Sequence, residues 1–424
     1  MNYSLICVFF FGMIALHAQT GLDKDFADIE SKVIEWRRDI HQNPELSNRE
    51  FKTAEKIANH LKSLGIDVQT GVAKTGVVGI LKGKSSGKVV ALRADIDALP
   101  VTERNDLPYK SEVTTTFLDT ETGVMHACGH DTHTAILMGV AEILANNKDK
   151  INGTVKFIFQ PAEEGPPPGE EGGAKLMIKE GVLKNPDVDA IFGLHINSGT
   201  PIGTIKYKPE GTMAAVERFV VNIKGKQTHG SQPWSGVDPI LISAKLIDGF
   251  QTIISREARL IDEAAVITVG KITSGVRFNI IPESAELIGT VRTLDPEMKK
   301  MIIRRMTEMT ETLARAYGGE ATIEFQNNTA ITYNDVALVD QMLPTIQAIA
   351  GAENVQLMKA TTGGEDFSYF QELVPGFYFF LGGMTPGETE AFPHHTPDFK
   401  IDDSGLLLGV KVMTNLALDY LNKP

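Results

Sequence analysis

The stretch Met125-His126-Ala127-Cys128-Gly129-His130-Asp131-Thr132-His133 has the composition of a metal-binding segment. It contains three of the ten histidines and one of the two cysteines of the chain. Thiolate and imidazole groups are ligands that transition metals such as zinc prefer. A lone histidine in a polar loop more often hydrogen-bonds locally, but this density of donors favours metal binding. We therefore expect Cys128 and His130 to bind a metal ion.

Other donor side chains are spread over the chain, and together they exceed what one metal ion needs. The candidates are Asp95, Asp97, Cys128, His130, Glu163, Glu164, His195 and His395. A tetrahedral zinc ion takes three or four protein ligands, so five or more donors indicate two metal ions that share a bridge. Such a pair activates a water molecule, whose proton a general base must accept. Glu163 and Glu164 can divide the tasks of ligand and base, and their spacing does not decide which residue does which.

Several candidates have a second interpretation. A pair such as Glu163-Glu164 is by itself typical of a solvated loop, and Asp95 and Asp97 can instead orient metal-binding histidines. Of the adjacent His394 and His395, only one is expected to bind metal. The remaining histidines of the first half are expected to be ordinary surface or core residues, or hydrogen-bonding neighbours of the site: His41, His60, His126 and His133.

Apolar runs that end in these polar residues indicate the elements that position them. The runs 89–92, 155–159 and 190–194 lead into Asp95, Glu163 and His195, and helix-like segments lie between them. Buried strands that alternate with helices predict a mostly parallel sheet, in which ligands bind beyond the carboxyl ends of the strands. Earlier in the chain, residues 23–42 have the apolar spacing of an amphipathic helix. Ser47 and Glu50 have the spacing of a capping box for a second helix that ends near Leu64.

The sequence changes character around Gly211, where strand and helix signals follow the order β-α-β-β-α-β. After this segment, strand and ligand signals resume with the apolar run 377–381 and His395. We therefore predict an α/β protein with a mostly parallel catalytic sheet flanked by helices and an inserted, smaller α+β domain of ferredoxin-like order. The predicted boundaries are 22–213 and 329–424 for the metal-binding domain and 214–328 for the inserted one.

Composition and the N-terminal residues limit the partners and the location. The net charge of −13 argues against nucleic acid or an anionic membrane surface as the main partner. Residues 1–22 contain no charged side chain and include the apolar run Leu5–Leu16, which predicts a signal peptide (residues 1–18) cleaved near Ala18 and a periplasmic or secreted protein. The alternative is a buried N-terminal helix. Cleavage would leave Cys128 as the single cysteine. In an oxidising compartment a free thiol is easily oxidised, and metal binding would protect it.

Five motifs of the chain together resemble the aminoacylase-like amidohydrolases. This family includes the hippurate and auxin-conjugate hydrolases, a branch of the carboxypeptidase G-type dinuclear metallopeptidases. The resemblance covers nearly all of the chain after the N-terminal segment and keeps the order of the motifs. They are Arg37–Leu46, Arg93–Pro100, Met125–His133, Gln160–Gly165 and Gly193–His195.

The resemblance implies two divalent metal ions in a catalytic domain and an inserted lid domain that often forms a homodimer. The implied metal ligands are Cys128, His130, Glu164, His195 and His395. Glu163 would be the general base, and His229 of the lid would stabilise the oxyanion, in its own site or in that of a partner subunit. Asn279 would bind substrate, and Arg292 would contact the substrate carboxylate. The segment Gln227–Trp234 departs from the family pattern, so Trp234 is expected to alter the substrate pocket.

These observations lead us to expect metal-dependent hydrolysis of the amide bond of N-acyl amino acids or related amides. A dipeptidase or carboxypeptidase on the same scaffold is the nearest alternative, and a metal- or ligand-binding protein without turnover is a more distant one. A pure binding protein needs no general base, so the presence of both Glu163 and Glu164 argues against it. The donor set suits zinc, manganese, cobalt or nickel, and availability decides among them.

Overall fold

The computed structural model describes residues 21–423, apart from the side chains at positions 327 and 328. The predicted signal peptide, residues 1–18, lies outside the described residues, so export stays a prediction. Within residues 21–423, no helix is both long and apolar enough to cross a membrane.

The helices and strands alternate along the chain as the apolar pattern predicts. The helices are α1 (Asp23–Gln42), α2 (Phe51–Ser63), α3 (His130–Asn146), α4 (Gly173–Lys179), α5 (Pro239–Thr252), α6 (Pro296–Ala316), α7 (Val336–Ala350), α8 (Ser368–Gln371) and α9 (Leu406–Asn422). The strands are β1 (Asp67–Val72), β2 (Gly76–Lys82), β3 (Val89–Asp95), β4 (Thr114–Phe117), β5 (Thr120–Gly123), β6 (Thr154–Gln160), β7 (Ala190–Pro201), β8 (Ile205–Tyr207), β9 (Glu210–Met213), β10 (Ala215–Lys224), β11 (Thr228–His229), β12 (Ala265–Ser274), β13 (Ile280–Ile281), β14 (Ser284–Thr293), β15 (Glu320–Thr329), β16 (Thr332–Asn334), β17 (Val355–Leu357) and β18 (Gly376–Met384).

An eight-stranded sheet in the order β1-β2-β6-β3-β7-β18-β8-β17 forms the centre of the larger unit. Its middle strands β6, β3, β7 and β18 are parallel to one another. Every residue of β3 is buried, as expected for a strand covered on both faces. Val90 and Leu92 belong to one apolar core and Ala91 to the other, because successive side chains point to opposite faces. The predicted fold class is confirmed.

Helices cover both faces of this sheet. The core on one face includes residues of α1, α2, α3, α7 and α9, such as Val33, Ile136 and Val410. The core on the other face is smaller and includes Met177 of α4 and Phe370 of α8. Since the middle strands are parallel, their carboxyl ends meet at one edge, and the polar residues that follow them meet there too.

The inserted unit has its own sheet and its own core. Its four strands are antiparallel in the order β12-β14-β10-β15, and α5 and α6 pack against them. The chain order β10-α5-β12-β14-α6-β15 is the predicted β-α-β-β-α-β pattern, with a ferredoxin-like strand order. The sheet begins at Ala215 and ends at Thr329. The domain boundaries predicted from the sequence stay a prediction.

The predicted capping box at the start of α2 is wrong. The helix begins at Phe51, and the side chain of the preceding Glu50 makes no capping hydrogen bond. Instead, Ser47 Oγ donates to Asp97 Oδ2 over 2.7 Å, and the carboxylate of Glu50 accepts from Ala162 N over 2.9 Å. Both side chains are therefore used by a buried polar network beneath the carboxyl ends of the strands, which the spacing alone does not reveal.

Candidate metal centre

Cys128 and His130 are placed by the turn that starts α3. Gly129 lies between them with a φ of +94°, in the left-handed region that favours glycine. A Cβ atom at this position would lie 2.3 Å from Ile196 Cγ2. The glycine therefore lets the start of α3 approach β7, the strand that carries His195.

The five predicted metal ligands meet at this edge of the sheet. Cys128 Sγ lies 3.4 Å from His195 Nε2 and 3.2 Å from His395 Nε2. Glu164 Oε1 lies 3.0 Å from His395 Nε2 and 3.9 Å from His130 Nε2. Residues up to 267 positions apart in the sequence thus surround one small volume.

The hydrogen bonds of the histidines leave suitable nitrogen atoms for a metal ion. His130 Nδ1 lies 3.0 Å from the carbonyl oxygen of Asp97 and 3.1 Å from its Oδ1, and His195 Nδ1 lies 2.6 Å from the carbonyl oxygen of Ile196. These acceptors place the proton on Nδ1 and keep Nε2 free, as outer-shell partners of metal-binding histidines do. His130 Nε2 is buried and has no hydrogen-bond partner among the described residues. The donors therefore fit divalent cations.

The structure also distinguishes the two adjacent histidines. A ring nitrogen of His394 lies within 4.8 Å of the donor atoms of Cys128 and His195. However, His394 Nδ1 lies 3.1 Å from the carbonyl oxygen of Cys128, and its Nε2 accepts from Ser198 N over 3.3 Å. Both ring nitrogens are therefore used, whereas His395 presents Nε2 to Cys128 and Glu164. This geometry favours His395 over His394 as the residue that the sequence expects to bind metal.

Glu163 lies beside this cage with the properties of a proton acceptor. Its Oε2 is 3.8 Å from His130 Nε2, and its Oε1 accepts from Asp366 N over 3.4 Å. Burial, followed by the negative charges of Glu365 and Glu164, raises the pKa of Glu163 well above its ordinary value. A carboxylate with a raised pKa suits general base catalysis, because it holds the proton until the leaving group needs it.

A network of buried, charged side chains lies next to the predicted metal ligands. Asp95 Oδ1 lies 2.6 Å from His133 Nδ1, and Arg93 Nη1 donates to Asp95 Oδ2 over 2.7 Å. His133 Nε2 accepts from the backbone of β7, and both ring nitrogens of His126 lack a hydrogen-bond partner among the described residues. Asp95 and Asp97 thus occupy the orienting positions that the sequence left open.

Sequence reasoning missed several members of this network. Arg93 Nη2 donates to Glu365 Oε1 over 2.9 Å and to Asp366 Oδ1 over 3.1 Å. His41, expected to be an ordinary histidine, is buried and lies 2.8 Å from Asp131 Oδ2 and 3.2 Å from Glu103 Oε1. For Arg93, the signal that could have found it is a charged residue directly after the apolar run 89–92, where a buried charge must be paired; the sequence around His41, Glu365 and Asp366 contains no such run.

The residues predicted on the inserted unit divide into two groups. Arg292 lines a cavity of about 560 Å³ together with Cys128, Glu163 and His395. His229 and Asn279 do not line this cavity. His229 is exposed on β11, and Gly230 N beside it donates to the carbonyl oxygen of Asn279 over 2.8 Å. Within one chain, the structure therefore brings Arg292 to the metal centre but not His229 or Asn279.

Comparison with known proteins assigns the family. A model of peptidase family M20/M25/M40 matches residues 91–419. The chain belongs to peptidase family M20/M25/M40. It is 39% identical over 404 residues to thermostable carboxypeptidase 2 of Saccharolobus solfataricus, covering 95% of this chain and 98% of that protein. It is 38% identical over 385 residues to N-acetyl-L-cysteine deacetylase of Bacillus subtilis, covering 90% and 86%.

A solved structure of the family is that of a protein described as binding two metal ions. The crystal structure of a dinuclear metal-binding M20 peptidase from Bacillus subtilis matches with a TM-score of 0.78 at 34% identity, covering 94% of this chain and 100% of the other. The resemblance to aminoacylase-like amidohydrolases is thereby confirmed. This M20 protein is a metal-dependent amide hydrolase, and its family and donor set support two divalent metal ions.

Proposed function

We propose that this M20 hydrolase cleaves the amide bond of N-acyl amino acids. The observation that carries the proposal is the cage of Cys128, His195, His395 and Glu164 with the buried carboxylate of Glu163 beside it. The similarity to a deacetylase of an N-acylated amino acid supports this substrate class.

The proposed mechanism divides the work between the cage and its neighbours. When bound, a pair of divalent cations would polarise the amide carbonyl and lower the pKa of a water molecule. Cys128, His130, Glu164, His195 and His395 would hold these ions. Glu163 accepts the proton of the attacking water and then donates it to the nitrogen of the leaving amino acid. Arg292, on the wall of the same cavity, binds the substrate carboxylate with its fork of N–H donors.

Replacement of Glu163 by Gln tests the central assignment. The amide keeps the size of the side chain but cannot accept the proton, so kcat should fall by about 100- to 10,000-fold. The metal content of the purified protein, measured by inductively coupled plasma mass spectrometry, should stay at the wild-type value. The matched variant Glu164→Gln should lose metal as well as activity. Normal turnover by Glu163→Gln would refute the role of Glu163.

The second candidate function is cleavage of a peptide bond next to a free carboxylate. It is favoured by the 39% identity to a carboxypeptidase and by the position of Arg292. Kinetics on N-acetyl and N-benzoyl amino acids and on dipeptides with the same C-terminal residue separate the two functions. Higher kcat/KM for the dipeptides would establish the peptidase as the main activity. We infer zinc, manganese, cobalt or nickel as the metal, and reconstitution of metal-free protein with each ion identifies the one that restores turnover.

We further propose that the protein is exported and acts as a homodimer through the inserted unit. Trp234, Val276 and Phe278 are 79%, 93% and 94% exposed near His229, and exposed apolar side chains of this kind are typical of protein interfaces. A partner subunit would cover them and bring its His229 to the oxyanion. N-terminal sequencing of the exported protein tests cleavage near Ala18, and a mature chain that still begins at Met1 would contradict it.

A further inference from the structure

A second cavity of about 480 Å³ adjoins the metal centre and has no role in the mechanism above. It lies between the β4–β5 hairpin, the segment around Leu99 and the proline-rich loop that follows Glu164. Its walls are largely apolar, with side chains from Leu46, Leu99, Pro100, Phe117, Leu118 and Pro167. Cavities of about 300–1,000 Å³ with apolar walls are the usual size of small-molecule sites.

Glu164 connects this cavity to the site of hydrolysis. The same residue lines the second cavity and the 560 Å³ cavity of the metal centre. Arg292 lines only the latter and belongs to β14 of the inserted unit, whereas every lining residue of the second cavity falls between residues 46 and 168. Glu163 and Glu164 also border a cavity of about 540 Å³, but charged residues such as Glu170 and Glu171 line that one. An apolar acyl group of a substrate whose carboxylate contacts Arg292 therefore fits better past Glu164 in the second cavity.

The hairpin contributes Thr115, Thr116, Phe117 and Leu118 to the lining of this cavity. Thr115 and Phe117 of β4 are half-buried while Thr114 and Thr116 are exposed, which is the alternation of a strand with one covered face. The turn residues Leu118 and Asp119 have φ values of +47° and +61°. Two-residue turns with two positive φ angles favour Asn and Gly, so leucine is unfavourable there for folding. Leu118 nevertheless occupies this turn. Its side chain lines the cavity and is 64% exposed to solvent.

We propose that the second cavity is the subsite for an apolar acyl group, so that the enzyme prefers N-acyl amino acids with medium-length acyl chains over N-acetyl amino acids. The inference rests on the proposed function, because it assigns one end of the same substrate. Each methylene group that enters the cavity should raise kcat/KM about fourfold until the cavity is filled.

The test compares N-acetyl, N-butanoyl, N-hexanoyl and N-octanoyl derivatives of one amino acid on the purified, metal-loaded protein. The variants are Leu118→Asn and the double variant Phe117→Ser/Leu118→Asn. Asparagine is favoured at a turn position with positive φ, so Leu118→Asn should fold at least as well as the wild type. The matched control is Leu373→Asn, which changes another leucine, 59% exposed, that lines neither cavity.

We expect the wild type and Leu373→Asn to favour the octanoyl substrate. The double variant should lose about tenfold in kcat/KM on that substrate, through KM, and keep its kcat/KM on the acetyl substrate within about twofold. Leu118→Asn should show a smaller loss of the same selectivity.

Two outcomes would overturn the subsite while leaving the proposed function intact. One is a wild type that hydrolyses all four substrates with no gain from chain length. The other is a double variant that loses activity equally on the acetyl and octanoyl substrates, or on neither. Hydrolysis of none of these amides by metal-loaded wild type would instead refute the proposed function, and the subsite with it.

Discussion

At the scale of single residues, hydrogen bonds decide which histidines are available to a metal ion. His130 and His195 have an oxygen acceptor at Nδ1, and His195 turns its Nε2 towards the thiol of Cys128, whereas both nitrogens of His394 contact backbone groups. The choice between the two histidines therefore depends on distant residues. His395 contacts Cys128, 267 positions away in the sequence, and His394 contacts Ser198, 196 positions away. No spacing rule in the sequence contains that information.

Glu50 shows how a residue without catalytic chemistry supports the base. Its Oε1 accepts from Ala162 N, and Ala162 precedes Glu163 with a φ of +52°. A positive φ is unfavourable for alanine, so this hydrogen bond holds the turn that presents Glu163 and Glu164. Burial, and then the charge of Asp97, raises the pKa of Glu50 to about 7.

This pKa predicts how Glu50→Gln changes stability with pH. A carboxyl group whose pKa is raised by folding favours the folded state while it is protonated, and that advantage is lost as the pH rises from 4.5 to about 7. Glutamine keeps the acceptor for Ala162 N and does not ionise. The free energy of unfolding of Glu50→Gln relative to wild type should therefore increase by about 3 kcal/mol across this window.

Urea denaturation at pH 4.5 and pH 8, with both proteins at the same metal content, measures the effect. Glu50→Ala is the comparison variant, because it removes the charge and also the acceptor for Ala162 N. It should lose activity at pH 8, where the imidazole ligands are neutral, whereas Glu50→Gln should keep it. A constant difference in stability between Glu50→Gln and wild type at the two pH values would contradict the prediction.

At the scale of elements, the strands were predictable and the supports beneath them were not. Apolar runs followed by Asp95, Glu163 and His195 located β3, β6 and β7, but β7 continues to Pro201, so His195 lies within that strand and not beyond its end. The spacing of Ser47 and Glu50 suggested a helix cap because that pattern is local, but tertiary contacts with Asp97 and Ala162 take both side chains. Local patterns thus identified the elements, whereas hydrogen bonds between residues far apart in the sequence hold these elements together.

Gly129→Ala tests the approach of α3 to β7. The added Cβ would meet Ile196 Cγ2 at 2.3 Å, so α3 or β7 must shift and separate Cys128 and His130 from His195. We expect metal affinity to fall by about tenfold or more, since misplaced ligands cost at least as much as lost outer-shell partners. Competition with a metal-sensitive chelating dye measures this affinity.

The control for this variant is Gly181→Ala. Gly181 also has a positive φ, +85°, but a Cβ atom there would have no neighbour within 4 Å. Gly181→Ala should therefore show only the backbone cost of about 1–2 kcal/mol in stability and an unchanged metal affinity. Equal metal affinities for the two variants would show that the contact between Gly129 and Ile196 does not position the ligands.

At the scale of the whole molecule, one chain holds an incomplete version of the proposed site. Four of the five predicted metal ligands, Cys128, Glu164, His195 and His395, line the central cavity with Glu163 and Arg292, but His229 lies exposed on β11. The four-stranded sheet that carries Arg292 also carries the exposed Ile272 and Val266, and the nearby loops carry Trp234 and Phe278. The sequence indicated the inserted fold through its β-α-β-β-α-β pattern, but it cannot say whose site His229 completes.

Mixing two inactive variants decides this question. If His229 acts in the site of the partner subunit, His229→Ala and Glu163→Gln should each be inactive alone. After co-refolding or subunit exchange at equal amounts, half of the dimers are mixed, and each mixed dimer has one site with both Glu163 and the partner's intact imidazole. Activity should therefore return to about a quarter of the wild-type value.

The control is a mixture of Glu163→Gln with Glu164→Gln, two variants that both damage the cage of their own subunit. In that mixture no dimer contains a complete site, so no activity should return, because each cage keeps its own defect regardless of its partner. Sedimentation equilibrium on the same samples shows whether mixed dimers form. If mixed dimers form and the mixture of His229→Ala with Glu163→Gln stays inactive, His229 does not act across a subunit interface. The exposed apolar side chains around His229 would then belong to a different contact surface.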